Sequence, residues 1–307
     1  MRMRLTAAAA AIVILGTAAQ AQQFTFPPPA PPPDFDKIAI RTTDLGNQAY
    51  MLEGQGGNIT VVVASDGVFV VDTQFAPLYG KIKAAIAAVT PLPVRYVINS
   101  HFHGDHVGSN ESFAKDGAII VAHENLKTRL VEGARNSISG LPVPPAPALG
   151  VPKQTYKDTL TLRLQGRTAE LKHPPNVHTD GDTYVYFPEV NVLAAGDLFF
   201  ANRFPNIDYL YGGSIDGQIR GADELLQLVK EDTKIVAGHG VLGTKAMLRD
   251  WRQMLIETRD RIQKLKAAGK TEDEIIAARP NADYDVKYNM DERTIANFIR
   301  VVYRSTK

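Results

Sequence analysis

The apolar residues of this chain first come in short, β-branched runs. Ile38–Thr43, Ala49–Leu52, Ile59–Ala64 and Val68–Asp72 are separated by turn residues: Asp44, Gly46 and Asn47, then Gly54 to Gly57, then Asp66 and Gly67. That pattern predicts four consecutive strands. The Tyr79–Val89 segment changes to helical periodicity and is stopped by Pro91 and Pro93. Val94–Ile98 reads as a buried strand. Strand and helix then alternate, with helices over Val107–Lys115 and His123–Glu132 around a strand at Ala118–Val121. Asn136–Lys153, rich in Pro, Gly and Ser, reads as a long loop.

A second block of strands follows at Thr155–Leu164, Thr168–His173, Thr183–Phe187 and Val190–Ala194. Ala222–Glu231 is helical, and the short strand Lys234–Ala237 ends at Gly238-His239-Gly240. The rest is mainly helical. Leu242–Leu265 forms a long amphipathic helix with the only tryptophan, Trp251, and Thr271 with Glu274 makes a capping box for Glu272–Ala278. Two strand blocks, each with helices nearby, predict an α/β (α+β) four-layer αββα sandwich with a helical C-terminal extension. The loops after Ile98, His173, Ala195 and Ala237 are expected at one edge.

The N-terminus has a different character. Met1–Arg4 is basic, Leu5–Gly16 is an Ala-rich apolar run, and Ala19-Gln20-Ala21 has the small-x-small form of a signal-peptidase site. The expectation is cleavage after Ala21 and export to a periplasm or beyond. Six prolines in residues 27–33 predict an extended polyproline arm. The organisation read from these shifts is a signal peptide at 1–21, a Pro-rich arm at 22–36, a main domain at 37–243 and a helical part at 244–307 packed on the same domain.

Charge narrows the partners. Loss of residues 1–21 removes Arg2 and Arg4 and no acid, so the formal charge moves from +1 to −1. A near-neutral chain has no electrostatic footprint for nucleic acid or a membrane surface. A small-molecule substrate is expected instead, with no membrane association after signal cleavage. The chain has no cysteine. Any metal site is therefore built from His, Asp, Glu and water.

Such a site is prefigured in His101-Phe102-His103-Gly104-Asp105-His106, which puts three imidazoles and a carboxylate at the end of a strand. These are the usual zinc ligands. In an extended segment residues i and i+2 point the same way, so His101 and His103 can grip one ion. A turn at Gly104 can swing Asp105 and His106 toward a second. His178 is the candidate to complete the first set and His239 the second, and Asp197 could bridge both with its two oxygens.

His-x-His-x-Asp-His at 101–106, His178 in His-Thr-x-Gly-Asp, Gly196-Asp197 after a strand and Gly238-His239-Gly240, in that order, resemble the metallo-β-lactamase superfamily. Asp72 resembles the structural aspartate that superfamily carries near its site. The resemblance implies one metal on His101, His103 and His178, a second on Asp105, His106 and His239, and Asp197 bridging. It implies two Zn2+ ions, with Fe or Mn as other possible metals, and a hydroxide held between them as nucleophile on a carbonyl substrate. Asp105 would orient that nucleophile and shuttle the proton, which makes it the candidate catalytic residue. A zinc-held water has its pKa lowered to about 7, so hydroxide exists at neutral pH.

Departures from the pattern bear on the substrate. Exported β-lactamases of the commonest kind have a cysteine where Asp197 stands and a carboxylate-binding lysine where Phe200 stands. Asp197 resembles instead the bridging aspartate of glyoxalase II and lactonases, although lactonases place a tyrosine at the Phe200 position. The reading is an exported binuclear zinc hydrolase, with a β-lactam-like cyclic amide as the named substrate. The alternatives are a lactonase, esterase or thioesterase, a mononuclear iron sulfur dioxygenase, and a non-catalytic periplasmic metal-binding protein. Arg203, Tyr209 and Tyr211 lie in a stretch that can wall the site. Gly56-Gly57-Asn58 forms either a flap or a plain hairpin turn. His123 is read as structural at a helix start, His173 as a satisfied or surface histidine.

Overall fold

The computed structural model describes residues 26–28 and 31–306. The signal-peptide reading at 1–21 lies outside the described residues, as does part of the Pro-rich arm. The first sheet takes β1 (Arg41–Gly46), β2 (Ala49–Glu53), β3 (Ile59–Val63), β4 (Val68–Val71), β5 (Val94–Ile98) and β6 (Ile119–His123) in that order. A small ribbon of β7 (Ala134–Arg135) and β8 (Pro142–Val143) interrupts the chain before β9 (Gln154–Tyr156) adds to the β6 edge. The second sheet is β10 (Thr159–Leu164), β11 (Arg167–Lys172), β12 (Tyr184–Phe187), β13 (Val192–Ala201), β14 (Lys234–Gly240) and β15 (Leu242–Gly243), again in chain order. Pairing is antiparallel within the hairpins and parallel where a helix intervenes, at β4–β5, β5–β6, β6–β9 and β13–β14.

The helices are α1 (Tyr79–Val89), α2 (Gly104–Val107), α3 (Asn110–Lys115), α4 (Glu124–Glu132), α5 (Ile215–Leu228), α6 (Lys245–Ala267), α7 (Glu272–Ala278), α8 (Ala282–Tyr288) and α9 (Glu292–Ser305).

Strand alternation makes the layers. In β4, Phe69 and Val71 face the space between the sheets while Val68 and Val70 face outward. In β13, Val192 and Ala194 face inward while Leu193 and Ala195 face the other way. This two-residue period gives each sheet two apolar faces. The inner faces close on one another through residues such as Met51, Ile98, Leu171, Phe187 and Val236. Ile82, Ile86 and Phe113 of α1 and α3 cover the first sheet, and Ile219, Leu225, Trp251, Leu255 and Ile299 cover the second. The result is the four-layer αββα sandwich. The C-terminal helices α6, α7 and α9 pack on the outer face of the second sheet and on each other.

Several local expectations change: the helix expected from Ala222 starts at Ile215 and ends at Leu228, and the strand expected to end at Ala194 runs from Val192 to Ala201. Thr155–Leu164 is two strands in two sheets, because the chain crosses between sheets at Lys157 and Asp158. The helix expected over Val107–Lys115 is broken into α2 and α3 around Gly108 and Ser109, where a Cβ on Gly108 would run into the Gln74 carbonyl and the Ala76 amide. The long C-terminal helix starts at Lys245, with Thr244 as its N-cap, because Leu242 and Gly243 pair with β14. The arm is partly described. Phe26 lies near the Arg304 guanidinium, Pro28 O accepts from Arg293, and Phe35 packs edge-on against Phe75.

Candidate metal centre

All seven side chains expected at the site converge at one edge of the sandwich. His101 and His103 sit just past the end of β5, and α2 then carries Asp105 and His106. His178 comes from the connection between β11 and β12, Asp197 from within β13, and His239 from the C-terminal end of β14. They form two donor sets, His101–His103–His178–Asp197 and Asp105–His106–His239. In each set the donor atoms lie within 4.8 Å of one another.

The contacts inside the sets have the form of ligands around a cation. His101 Nε2 and His178 Nε2 each lie 3.0 Å from His103 Nδ1. His106 Nε2 lies 3.2 Å from His239 Nε2. Asp197 divides its oxygens: Oδ2 is 3.4 Å from His178 Nε2 and 3.7 Å from His101 Nε2, whereas Oδ1 is 3.3 Å from His106 Nε2 and 3.5 Å from His239 Nε2. Asp197 Oδ1 is buried without a hydrogen-bond partner. A buried carboxylate oxygen without a donor is costly, and a cation relieves that cost. The donor sets therefore fit divalent metal.

A second ring of groups fixes which nitrogen of His103, His106 and His178 faces inward. His106 Nδ1 donates to Asp72 Oδ2 at 2.8 Å, leaving Nε2 inward. His103 Nε2 donates to Asp208 Oδ2 at 2.8 Å, leaving Nδ1 inward. His178 Nδ1 donates to Asn206 O at 2.8 Å. Asp72 is itself held by the Ser100 amide at 2.7 Å and the Ser100 hydroxyl at 2.6 Å. Its φ of 66° is unusual for a non-glycine residue, and such strain survives only where surrounding bonds hold it. Asp182 accepts from the His178 and Thr179 amides and the Thr179 hydroxyl, bracing the loop that presents His178.

The electrostatics agree with this picture. Burial opposes charge on His106, but Asp197, Asp72 and Asp105 outweigh it and hold its pKa up at about 10. Burial also opposes charge on His103, yet Asp208 keeps that imidazole above its ordinary value. Burial and the neighbouring His106 push His101 well below the usual imidazole range, and burial takes His178 down to about 4. Burial works to raise Asp197, but His239, His106, His101 and His178 hold it well below the carboxylate range. The carboxylates thus favour positive charge at His103 and His106, while burial disfavours it at His101 and His178.

Close backbone approach is part of the design. A Cβ on Gly238 would overlap Asp197 Oδ1, and one on Gly57 would overlap the His106 ring. Only glycine fits either place. The Gly56–Asn58 turn is pinned: Gly57 N donates to Asp105 O, Asn58 N to Gly238 O, and Asn58 Nδ2 to Ala237 O and Gly240 O. It packs on the site as a fixed turn.

Of the other residues singled out, Arg203 lines the cleft in front of the donors, together with Phe200. Phe200 also stacks on His239 with centroids 5.2 Å apart. Tyr209 hydroxyl accepts from Arg304, and Tyr211 hydroxyl accepts from the Arg135 amide, so both tyrosines brace loops. His123 caps α4 by accepting from the Asn125 amide, and His173 stacks on it with centroids 3.7 Å apart. Asp208 escapes sequence reasoning. Its one signal is an acid between Ile207 and Tyr209, in an otherwise apolar and aromatic stretch.

A family model described as the metallo-beta-lactamase superfamily matches residues 52–239, a span that contains all seven donors. The chain is 32% identical over 158 residues to the 2,4-dinitroanisole O-demethylase subunit alpha of Nocardioides sp., covering 50% of this chain and 45% of that one. It is 30% identical over 145 residues to a hydroxyacylglutathione hydrolase of Methylococcus capsulatus, covering 47% of each. The chain thus spans about half the length of these curated relatives. Among solved structures, a metallo-beta-lactamase from Pontibacter korlensis superposes with a TM-score of 0.56 at 19% identity, over 71% of this chain and 99% of that one.

Proposed function

The chain belongs to the metallo-β-lactamase superfamily, and from that premise we propose that it is a hydrolase that holds two divalent metal ions, with zinc as the leading identity, and opens a carbonyl-linked bond in a small molecule. One observation carries the reading: the two carboxylate oxygens of Asp197 face different donor sets. A single-ion site, such as a mononuclear dioxygenase would use, has no need of the second set of Asp105, His106 and His239.

When bound, the ions supply Lewis acidity and bring the pKa of water toward neutrality. The chain's own groups do the rest. His101, His103, His178 and Asp197 would hold one ion, and Asp105, His106, His239 and Asp197 the other. Asp105 Oδ2 lies 3.4 Å from His239 Nε2 and lines the cleft. That position supports its role as proton acceptor when water adds to the carbonyl, and as proton donor to the leaving group. Phe102, Phe200 and Phe204 line the cleft and limit water beside the reacting bond.

The bond class proposed is an amide, ester or thioester, with a β-lactam-like cyclic amide as the first compound to try. We propose export by the segment read at 1–21, so that the mature protein begins at Gln22. Elemental analysis of purified protein should find about two divalent ions per chain, and a value near zero in excess zinc would sink the site. A hydrolysis screen over β-lactams, lactones, thioesters and phosphoesters, with chelator controls, then assigns the bond. N-terminal sequencing of secreted protein tests the export.

A further inference from the structure

A cleft of about 510 Å3 opens on the metal donors. Its near wall is His103, Asp105, Asp197 and His239. Its aromatic wall is formed by Phe200, stacked beside His239, and by Phe204 and Phe298, each no more than 4% exposed and presenting only an edge to the cleft, with Thr294 and Asn297 also in the lining. Phe204 and Phe298 stack with centroids 4.4 Å apart and planes at 19°. Among the described lining residues that wall carries one charged side chain, the exposed Arg203.

The origin of this wall matters. Every metal donor lies within residues 52–239, whereas Thr294, Asn297 and Phe298 belong to α9, outside the family match. Their spacing of three and four residues puts them on one helix face. Ile295, Ile299 and Val302 point into the core below. The C-terminal extension therefore completes the cleft. The volume is that of an ordinary small-ligand site. Reactive polar groups and aromatic edges share one cleft, which suits a molecule with both a polar and an apolar part.

We propose that the Phe204–Phe298 wall binds an apolar arm of the substrate, attached to the group being hydrolysed, and that α9 sets the length of arm accepted. This inference rests on the hydrolase reading and names the substrate class for it: a carbonyl compound with an alkyl or aryl arm.

The test uses the full chain and a neutral ligand that needs no metal: the straight-chain primary alcohols from butanol to octanol, with binding followed by calorimetry with and without zinc. Affinity should rise about fourfold per added methylene. Asn297→Trp, at a half-buried position on the cleft face, should fill the space and flatten that rise. Phe298→Leu should reduce it, with circular dichroism to identify any variant that fails to fold. In parallel, nitrophenyl esters of increasing acyl length should show kcat/KM rising with length in the zinc-loaded protein. A slope that survives Asn297→Trp, or no slope in the unaltered chain, overturns the proposal. If esters are cleaved with no preference for length, the subsite falls and the hydrolase reading stands. If the alcohols bind with the expected slope and nothing is hydrolysed, the subsite stands and the hydrolase reading falls.

Discussion

Asp208 Oδ2 lies 2.8 Å from His103 Nε2. That contact decides the chemistry of His103, because it commits Nε2 to a proton and turns the Nδ1 lone pair toward His101 and His178. Asp208 is fully buried, and its other oxygen has no hydrogen-bond partner. Asp208→Asn should keep the fold and weaken metal at the His101–His103–His178 set by about tenfold to a hundredfold. Competition with a chromogenic chelator measures this; an unchanged affinity would remove the orienting role.

Gly238 permits the approach of β14 to Asp197. Gly238→Ala puts a methyl group where Asp197 Oδ1 stands. The expected result is a loss of about 1–3 kcal/mol in stability and loss of metal from the set that Oδ1 faces. Urea denaturation and metal content read the two effects separately, and a variant equal to the parent in both would contradict the packing described.

Asp105→Asn keeps the shape of the side chain, removes its ability to take a proton and weakens it as a ligand, so metal content is measured beside turnover and the proton role is read from variant protein that keeps its metal. Turnover should fall by at least about a hundredfold while the far-ultraviolet spectrum stays the same. Retained kcat would take the proton-transfer role away from Asp105.

His123 gives a pH-dependent term away from the metals. Burial and the stacked His173 push its pKa from 6.5 to about 4, and its Nδ1 must stay unprotonated to accept from the Asn125 amide. Between these values the unfolded chain binds the extra proton and the folded chain does not. This contribution is thus present above pH 6.5, is lost as pH falls toward 4, and is level below that. His123→Asn keeps a helix-capping acceptor without the titration. Its urea midpoint should change less between pH 7 and pH 4 than the parent's, and parallel curves would rule the term out.

Much of this was legible in the chain. Val94–Ile98 announced a strand, although only Val97 and Ile98 of it are buried and Arg95 is exposed, and ligand-type residues at its end could serve few structural needs, so the donors stood out. Asp197 and His239 stood out because each follows an apolar run. Of the supporting groups, Asp72 and Gly238 were visible through the resemblance, whereas Asp208 was not: it acts through a distance between segments far apart in sequence, and no local pattern encodes such a distance. Thr155–Leu164 read as one strand because its β-propensity is continuous. Only the tertiary arrangement divides it between two sheets. The part played by α9 in the cleft was hidden for the same reason, since an amphipathic helix face looks alike over a core and over a substrate.

The route of the chain through the donors has one more consequence. His101, His103, Asp105 and His106 follow a strand of one sheet, whereas His178, Asp197 and His239 belong to the other. Each ion, once held, ties the first half of the sequence to the second and closes a loop of more than seventy residues, from His101 to His178 or from His106 to His239. In a chain without cysteine, that would be a cross-link over long loops of the kind a disulfide makes, but acting on the folded state alone: it forms only when both halves have docked in register, so its binding energy adds to folding, and a chelator rather than a reductant breaks it.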